Sequence, residues 1–281
     1  MGFRDEFRCS SFGFEGVERS ALYKSYINVP RWFRLSSLGV TCVYTFSMMI
    51  ASIVITTMEV HNSGWFHFMT SWNYMVNVTY FIIAFVKHLQ YQGDADEGYE
   101  VIRDEAVGLM AGDESKHEVF MEKGVVLSDP LVLDTIPSKM SISDKVYWFF
   151  HSLAFLMSSV VVVVYWPILF DPSSFENDFH WFQTIDRHGI VYLLFIFQYI
   201  FNKIPIRIFH CVYAIAVAVI FFIHTYIYYL VTSRLVYSIF DWGNAPLKAF
   251  YYFLGIVALA IILQFILYGI DRFKHWLGNR K

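Results

Sequence analysis

The sequence predicts an all-α membrane protein with six transmembrane helices, both termini on the inner side, and a small polar insert between the second and third helices. Two observations support this fold class. Hydrophobic residues make up 57% of the 281 residues and charged residues only 16%, whereas soluble domains have about 25% charged residues. The apolar residues also lie in long blocks that are almost free of charge, and a transmembrane helix needs roughly 20 such residues.

Six blocks are long enough to span a membrane, and the fourth is the shortest. We expect residues 1–36 to form an inner-side segment and residues 37–281 to form one membrane domain. The first sixteen residues mix acids with bases and contain no apolar core, so we expect the first span to direct its own insertion. The predicted spans are 37–58, 70–91, 146–170, 185–203, 208–231 and 247–270.

The distribution of Lys and Arg orients these spans. Of the 21 basic residues, 18 fall in the amino-terminal tail, the connection between spans two and three, the connection between spans four and five, and the carboxyl-terminal tail. Only Arg187, Arg234 and Lys248 fall on the opposite side. Basic residues collect on the cytoplasmic side of membrane proteins, so the count predicts an even number of spans with both termini inside.

Composition excludes several classes of function. The formal net charge of −3 argues against a nucleic-acid partner. The cysteines Cys9, Cys42 and Cys211 are far apart and odd in number, without metal or redox spacing, so we expect no metal and no cofactor.

The acidic insert 92–144 contains short amphipathic runs. It is either a solvated loop or a small helical element that docks partner proteins together with the amino-terminal segment.

Polar residues recur in the outer halves of the predicted spans. Thr70, Asn73 and Asn77 lie at positions i, i+3 and i+7, which places them on one helical face. His188 begins the fourth span, and the predicted orientation brings His224 of the fifth span to the same outer layer. Polar side chains at membrane depth usually face a bundle interior or a wet cavity. We therefore expect these faces to line one cavity.

A threonine close to a histidine can form a nucleophile and its general base. Thr70 and His188 are the candidates, and Asp186 is an acid that can orient an imidazole. The alternative is structural, since a membrane threonine usually bonds its own helix and a membrane histidine bonds a neighbouring side chain. Residue spacing alone leaves both interpretations open.

Four short segments of the chain resemble segments of a known family and occur in the same order. They are FMTSWN, VVYWPILFDP, DRHGIVYLLF and RLVYSIFDWGNAPLKAFYYF. Together they resemble the androgen-induced protein and ADTRP family of six-span membrane proteins and its relatives, the rolling stone proteins, over two thirds of the chain. Two features depart from the family pattern: Arg187 replaces an asparagine before the His-Gly pair, and the 92–144 insert is longer.

The resemblance implies a chemistry. The androgen-induced branch hydrolyses fatty-acid esters of hydroxy fatty acids, which implies that Thr70 is the nucleophile and His188 the second catalytic residue. Rolling stone proteins are instead associated with cell fusion. In a hydrolase, Asn73 lies one turn below Thr70 and is placed to stabilise an oxyanion, while His224 is a candidate for binding a carboxylate head group.

Two functions remain in view from the sequence. The first is a lipid hydrolase of the endomembrane system or plasma membrane, taking a lipid-like ester directly from the bilayer. The second is a non-catalytic accessory subunit of a larger membrane complex, for which the mitochondrial inner membrane is an alternative location. Membrane lipids are expected neighbours of the chain in both cases.

Overall fold

The computed structural model describes residues 29–59, 64–91, 140–174 and 178–278, together with short stretches between residues 6 and 25. All regular elements in these ranges are helical, in agreement with the predicted fold class. The predicted insert 92–144 lies outside the described residues except for its last five positions.

The described residues form seven α-helices, five of which each correspond to one predicted span. The first begins six residues before its predicted span and the last ends eight residues after its own, while the predicted span 185–203 is divided between two helices. A π-helical turn at Tyr165–Leu169 extends the third helix, and another at Asp186–Ile190 joins the fourth helix to the fifth. The helices are α1 (Arg31–Glu59), α2 (Met69–Gln90), α3 (Ile142–Val164), α4 (Asp178–Ile185), α5 (Val191–Ile200), α6 (Cys211–Thr232) and α7 (Pro246–Gly278).

Local sequence explains where several helices begin and end. Ser141 caps α3 through a capping box, in which its hydroxyl accepts the Asp144 amide and the Asp144 carboxylate accepts the Ser141 amide. Pro246 is the first residue of α7, a position where its missing N–H costs no helical hydrogen bond. Ser233 ends α6 in the left-handed conformation with φ of 56°.

Within the described ranges, four helical stretches are long and apolar enough to cross a membrane, so the chain has the character of a multi-pass membrane protein. They are Arg31–Thr57, Ile142–Leu169, Ile208–Thr232 and Pro246–Gly278. The other two predicted spans are less apolar or less regular. The polar stripe of α2 lowers its mean hydropathy, and the predicted fourth span is divided among α4, a π turn and α5.

The third helix is the centre of the bundle. In its most apolar window 56% of residues are buried, against 22–28% for the other three membrane-length stretches. It packs against α2, α5, α6 and α7. Aromatic side chains fill the space around it, including Tyr80 from α2, Trp148 and Phe155 from α3, and Phe195 from α5. Helices in contact with α3 are therefore held at fixed positions around it.

A buried charge cluster ties the amino-terminal segment to α2 and α3. The Asp144 carboxylate is fully buried and accepts hydrogen bonds from Lys87 Nζ at 2.6 Å and Arg19 Nε at 3.1 Å. The hydroxyls of Ser141 and Tyr23 also donate to it. A buried carboxylate needs such partners because leaving it unpaired costs several kcal/mol.

Candidate active site

An apolar cavity lies between α3, α6, α7 and the first turn of α2. Its volume is about 90 Å³, and it is partly open to the outside. Three of the described lining residues carry a hydroxyl: Thr70, Tyr165 and Tyr237. The other described lining residues have aliphatic, aromatic or methionine side chains. Ligand sites typically have this composition, with mostly apolar walls and a few placed polar groups.

Thr70 lies in the first turn of α2, where the backbone N–H groups lack helical partners. The N-cap residue Phe68 provides no side-chain cap. Instead, the amide of Met69 donates to the Tyr237 hydroxyl at 3.1 Å, and Tyr237 also hydrogen-bonds the amide and hydroxyl of Thr70. A tyrosine from the loop between α6 and α7 therefore replaces the usual N-cap side chain.

The Tyr237 oxygen faces three donors in this turn: the amides of Met69 and Thr70 and the hydroxyl of Thr70. Each of these contacts lowers the pKa of the phenol, because a donor stabilises the charged oxygen. Burial has the larger effect and raises the pKa of Tyr237 to about 12. The phenol therefore keeps its proton at neutral pH.

His188 lies in the π turn that joins α4 to α5 and is 6% exposed. Its imidazole stacks on the Tyr165 ring, with ring centroids 3.4 Å apart and an interplanar angle of 8°. Its backbone carbonyl accepts Trp166 Nε1 at 3.0 Å. Its Nδ1 atom is buried and has no hydrogen-bond partner among the described residues. Because Tyr165 also lines the cavity, its ring links His188 to the cavity wall.

The structure does not join the two candidate catalytic side chains directly. Within the described part of the chain, the hydrogen bonds of Thr70 lead to Tyr237, and the ring contact of His188 leads to Tyr165. The cavity lining includes Thr70 and Tyr165 but, among described residues, does not include His188.

Asp186 is directed toward tyrosines and not toward the imidazole of His188. Its carboxylate is 2% exposed and accepts hydrogen bonds from Tyr44 and Tyr74, both at 2.8 Å. The neighbouring Arg187 side chain donates to the Ser52 hydroxyl. Asp186 thus connects α1 and α2 to the π turn that holds His188, so it fixes the position of that turn.

The polar stripe of α2 faces the bundle interior, as its spacing predicted. Thr70, Asn73 and Asn77 are 9%, 2% and 0% exposed. Below Thr70 the stripe contacts α3: Asn77 Nδ2 donates to Ser158 Oγ at 2.8 Å, and Ser158 Oγ donates to Asn73 Oδ1 at 3.1 Å. Asn73 is therefore engaged with α3 through its side-chain oxygen.

His224 pairs with a second histidine that the sequence analysis did not single out. The nitrogens His67 Nδ1 and His224 Nε2 are 3.2 Å apart, and their rings are nearly parallel. Tyr228 also packs on the His67 ring. This contact holds the short turn before α2 against α6. No group of three or more metal-ligating side chains forms a metal site within the described ranges.

Tyr237 and Tyr165 are the site residues that sequence reasoning missed. Both lie in segments that the resemblance already singled out, RLVYSIFDWGNAPLKAFYYF and VVYWPILFDP. Tyr237 is 168 positions from Met69, so no local pattern could pair them. The available signal was a tyrosine beside a predicted span end, which is common at membrane interfaces.

The membrane-length helices, the buried polar stripe and the apolar cavity define a multi-pass helical membrane protein. A family model described as Protein rolling stone matches residues 127–280, and the chain belongs to the rolling stone family. The matched region includes His188 and Tyr237, whereas Thr70 precedes it.

The chain is similar to a curated protein of known name. Protein rolling stone of Drosophila melanogaster is 27% identical over 141 residues, which are 48% of this chain and 50% of that protein. The match therefore spans about half the length of this curated relative. No solved structure matches the chain.

Proposed function

We propose that this protein is a membrane-embedded hydrolase of lipid-like esters, with fatty-acid esters of hydroxy fatty acids as its substrate class. The observation that best supports the proposal is the position of Thr70, which lines the apolar cavity beside Tyr237. A hydroxyl nucleophile at the edge of an apolar cavity suits an ester whose chain is buried and whose carbonyl is held at the polar end.

In the proposed reaction, Thr70 Oγ1 attacks the ester carbonyl carbon and its proton passes to His188. The tetrahedral intermediate then collapses, the ester bond breaks, and the alcohol leaves with the proton from His188. Water hydrolyses the acyl-threonine, with His188 taking the proton of the water and returning it to Thr70. The Tyr237 hydroxyl, which keeps its proton at neutral pH, can donate a hydrogen bond to the oxyanion.

Direct proton transfer requires His188 within hydrogen-bond reach of Thr70, or one water between them. Tyr165 is the side chain that contacts His188 and also lines the cavity. We propose that substrate binding moves the Tyr165 ring and allows this approach, since catalytic hydrogen bonds often tighten only in the substrate complex.

We also infer six spans, with both termini on the inner side. The 22 residues of α2 correspond to about 33 Å of helix, and the stretch Asp178–Ile200 to about 34 Å, against a hydrocarbon thickness of about 30 Å. The presence of 18 of 21 basic residues on one side supports the orientation.

The link to the androgen-induced protein and ADTRP family is part of the proposal. The segments around Thr70 and His188 support it. We place the protein in the endomembrane system or plasma membrane, in contact with membrane lipids. Its amino-terminal segment and the 92–144 insert are proposed contacts for protein partners.

Labelling with a lipophilic fluorophosphonate tests the proposed nucleophile. We expect the probe to label the wild-type protein and Thr70→Ala to abolish labelling. Thr79→Ala is a matched control, because Thr79 lies on the same helix and its hydroxyl bonds only its own helix backbone, at Met75 O. Equal labelling of Thr70→Ala and wild type would exclude Thr70 as the nucleophile.

Failure to label any of the three proteins would favour the second candidate, a non-catalytic accessory subunit. The hydrogen bonding of Thr70 to Tyr237 instead of His188 is the observation that favours this candidate.

A further inference from the structure

The cavity has a polar end, at Thr70 and Tyr237, and an apolar floor, at Ala214 and Ala260. Phe221 of α6 lies beside Tyr237, with ring centroids 6.1 Å apart, so it marks the polar end. Ala214, on the same helix and also lining the cavity, is seven residues away. At a rise of 1.5 Å per residue, this separation corresponds to about 10 Å of depth.

The spacing of lining residues along α7 leads to the same cavity depth. Phe253 stacks on Phe222 with centroids 4.2 Å apart, which places Phe253 at the level of the polar end. Ala260 lies seven residues further along α7 and lines the cavity. Two antiparallel helices therefore place small side chains at a common level, about two turns below the hydroxyl groups.

The floor is formed by small side chains on buried positions. Ala214 and Ala260 are each 6% exposed, so their methyl groups face the bundle and not the surroundings. Met157 of α3 is 2% exposed and also lines the cavity. A larger side chain at either alanine would occupy space that the cavity now contains.

The chemistry of the lining restricts what can fill this space. The polar side chains of the lining are hydroxyls, and its described residues include no charged side chain. A charged group in such a space would remain without a counter-ion, which is costly. An uncharged alkyl chain has no such cost, and a carbonyl at its end can meet the hydroxyls of Thr70 and Tyr237.

We propose that the cavity binds one acyl chain, with its ester at Thr70 and Tyr237 and its methyl end at Ala214 and Ala260, and that these two alanines limit the chain length. This inference rests on the proposed function for the position of the ester. An extended chain advances roughly 1.25 Å per carbon because its bonds of about 1.5 Å zigzag. A depth of about 10 Å then holds roughly eight carbons.

A binding measurement tests this inference without depending on catalysis. The protein is Thr70→Ala in lipid nanodiscs, and the probes are methyl esters of saturated acids of four to fourteen carbons, measured by displacement of a fluorescent alkyl probe. Each ester is compared between Ala260→Leu and its parent. The same ester partitions equally into the same lipid, so the ratio of affinities isolates the cavity.

We expect Ala260→Leu to leave the four-carbon ester unchanged and to weaken esters of eight or more carbons by at least tenfold. A buried methylene contributes about fourfold in affinity, and leucine fills the space of two or three carbons. Ala258→Leu is the matched control, since Ala258 is exposed on the same helix. We expect it to change no affinity.

A second pair of variants controls for a folding defect in Ala260→Leu. Ala214→Leu should shorten the accepted chain in the same way, and the exposed Ala216 provides its control on α6 as Ala216→Leu. An equal loss at every chain length, an equal effect of the control variants, or no binding of any ester would overturn the inference. If binding shows the length limit while the fluorophosphonate fails to label wild type, the proposed hydrolysis fails and the acyl site stands.

Discussion

The hydroxyl of Tyr237 lies 3.1 Å from the backbone nitrogen of Met69 and joins the loop between α6 and α7 to the first turn of α2. Because Thr70 is the next residue in that turn, the same phenol holds both the backbone and the side chain of the proposed nucleophile.

Tyr237→Phe should lower the rate of fluorophosphonate labelling by about tenfold or more, because it removes both the proposed oxyanion donor and the acceptor of the Met69 amide. Labelling time courses measure the rate. Tyr251→Phe is the control, since Tyr251 is 62% exposed on α7. An unchanged rate in Tyr237→Phe would show that Thr70 does not depend on this phenol.

Asp144→Asn should destabilise the fold strongly, because it leaves Lys87 buried without its counter-charge. Breaking a buried ion pair by removing one partner costs about 3–5 kcal/mol. Thermal unfolding in detergent should show a clearly lower midpoint. The double variant Asp144→Asn with Lys87→Met should recover part of the loss, since it removes the unpaired charge.

The control for this cluster is Asp171→Asn, because Asp171 is exposed on a connecting turn. Its carboxylate pKa is lowered by hydrogen bonds from Ser173, but an exposed group of this kind contributes little to stability. A midpoint for Asp144→Asn equal to that of Asp171→Asn would contradict the importance of the buried pair.

Asn77→Ala should reduce stability by about 1–3 kcal/mol, because it removes the donor to Ser158 and to Asn73 in the bundle interior. Denaturation midpoints compared with Thr79→Ala on the same helix provide the measurement. If the two alanine variants are equally stable, the polar stripe makes no net contribution to packing of α2 on α3.

Cysteine accessibility tests the proposed topology. In a variant lacking Cys9, Cys42 and Cys211, single cysteines at Ser173 and Ser233 should react with an impermeant maleimide from outside, since both positions are exposed. Cysteines at positions 1 and 281 should react only after permeabilisation. Labelling of the two termini from opposite faces would exclude an even number of spans.

Sequence patterns predicted the positions of five of the seven described α-helices, because long apolar blocks and their flanking charges are local signals. The burial of Asn73 and Asn77 also followed from the cost of placing amides in lipid. The partners of individual polar groups did not follow. Asp186 was expected to orient an imidazole, yet two phenols satisfy its carboxylate equally well. Only the three-dimensional packing of α1 and α2 decides between such partners.

The π turn before α5 has a consequence for insertions and deletions. The amide of Val191 bonds the Asp186 carbonyl five residues earlier, so the turn holds one residue more than an α-helix. Asp186, Val191 and Phe195 are all buried on one face, although Asp186 and Val191 are five residues apart. Deleting Gly189 would shorten that spacing to the four residues of a regular helix and keep the same face of α5 toward the core. It would also change the angular position of His188 relative to that face, because a residue turns by about 100° in an α-helix and by less in a π turn, and so move the imidazole away from Tyr165.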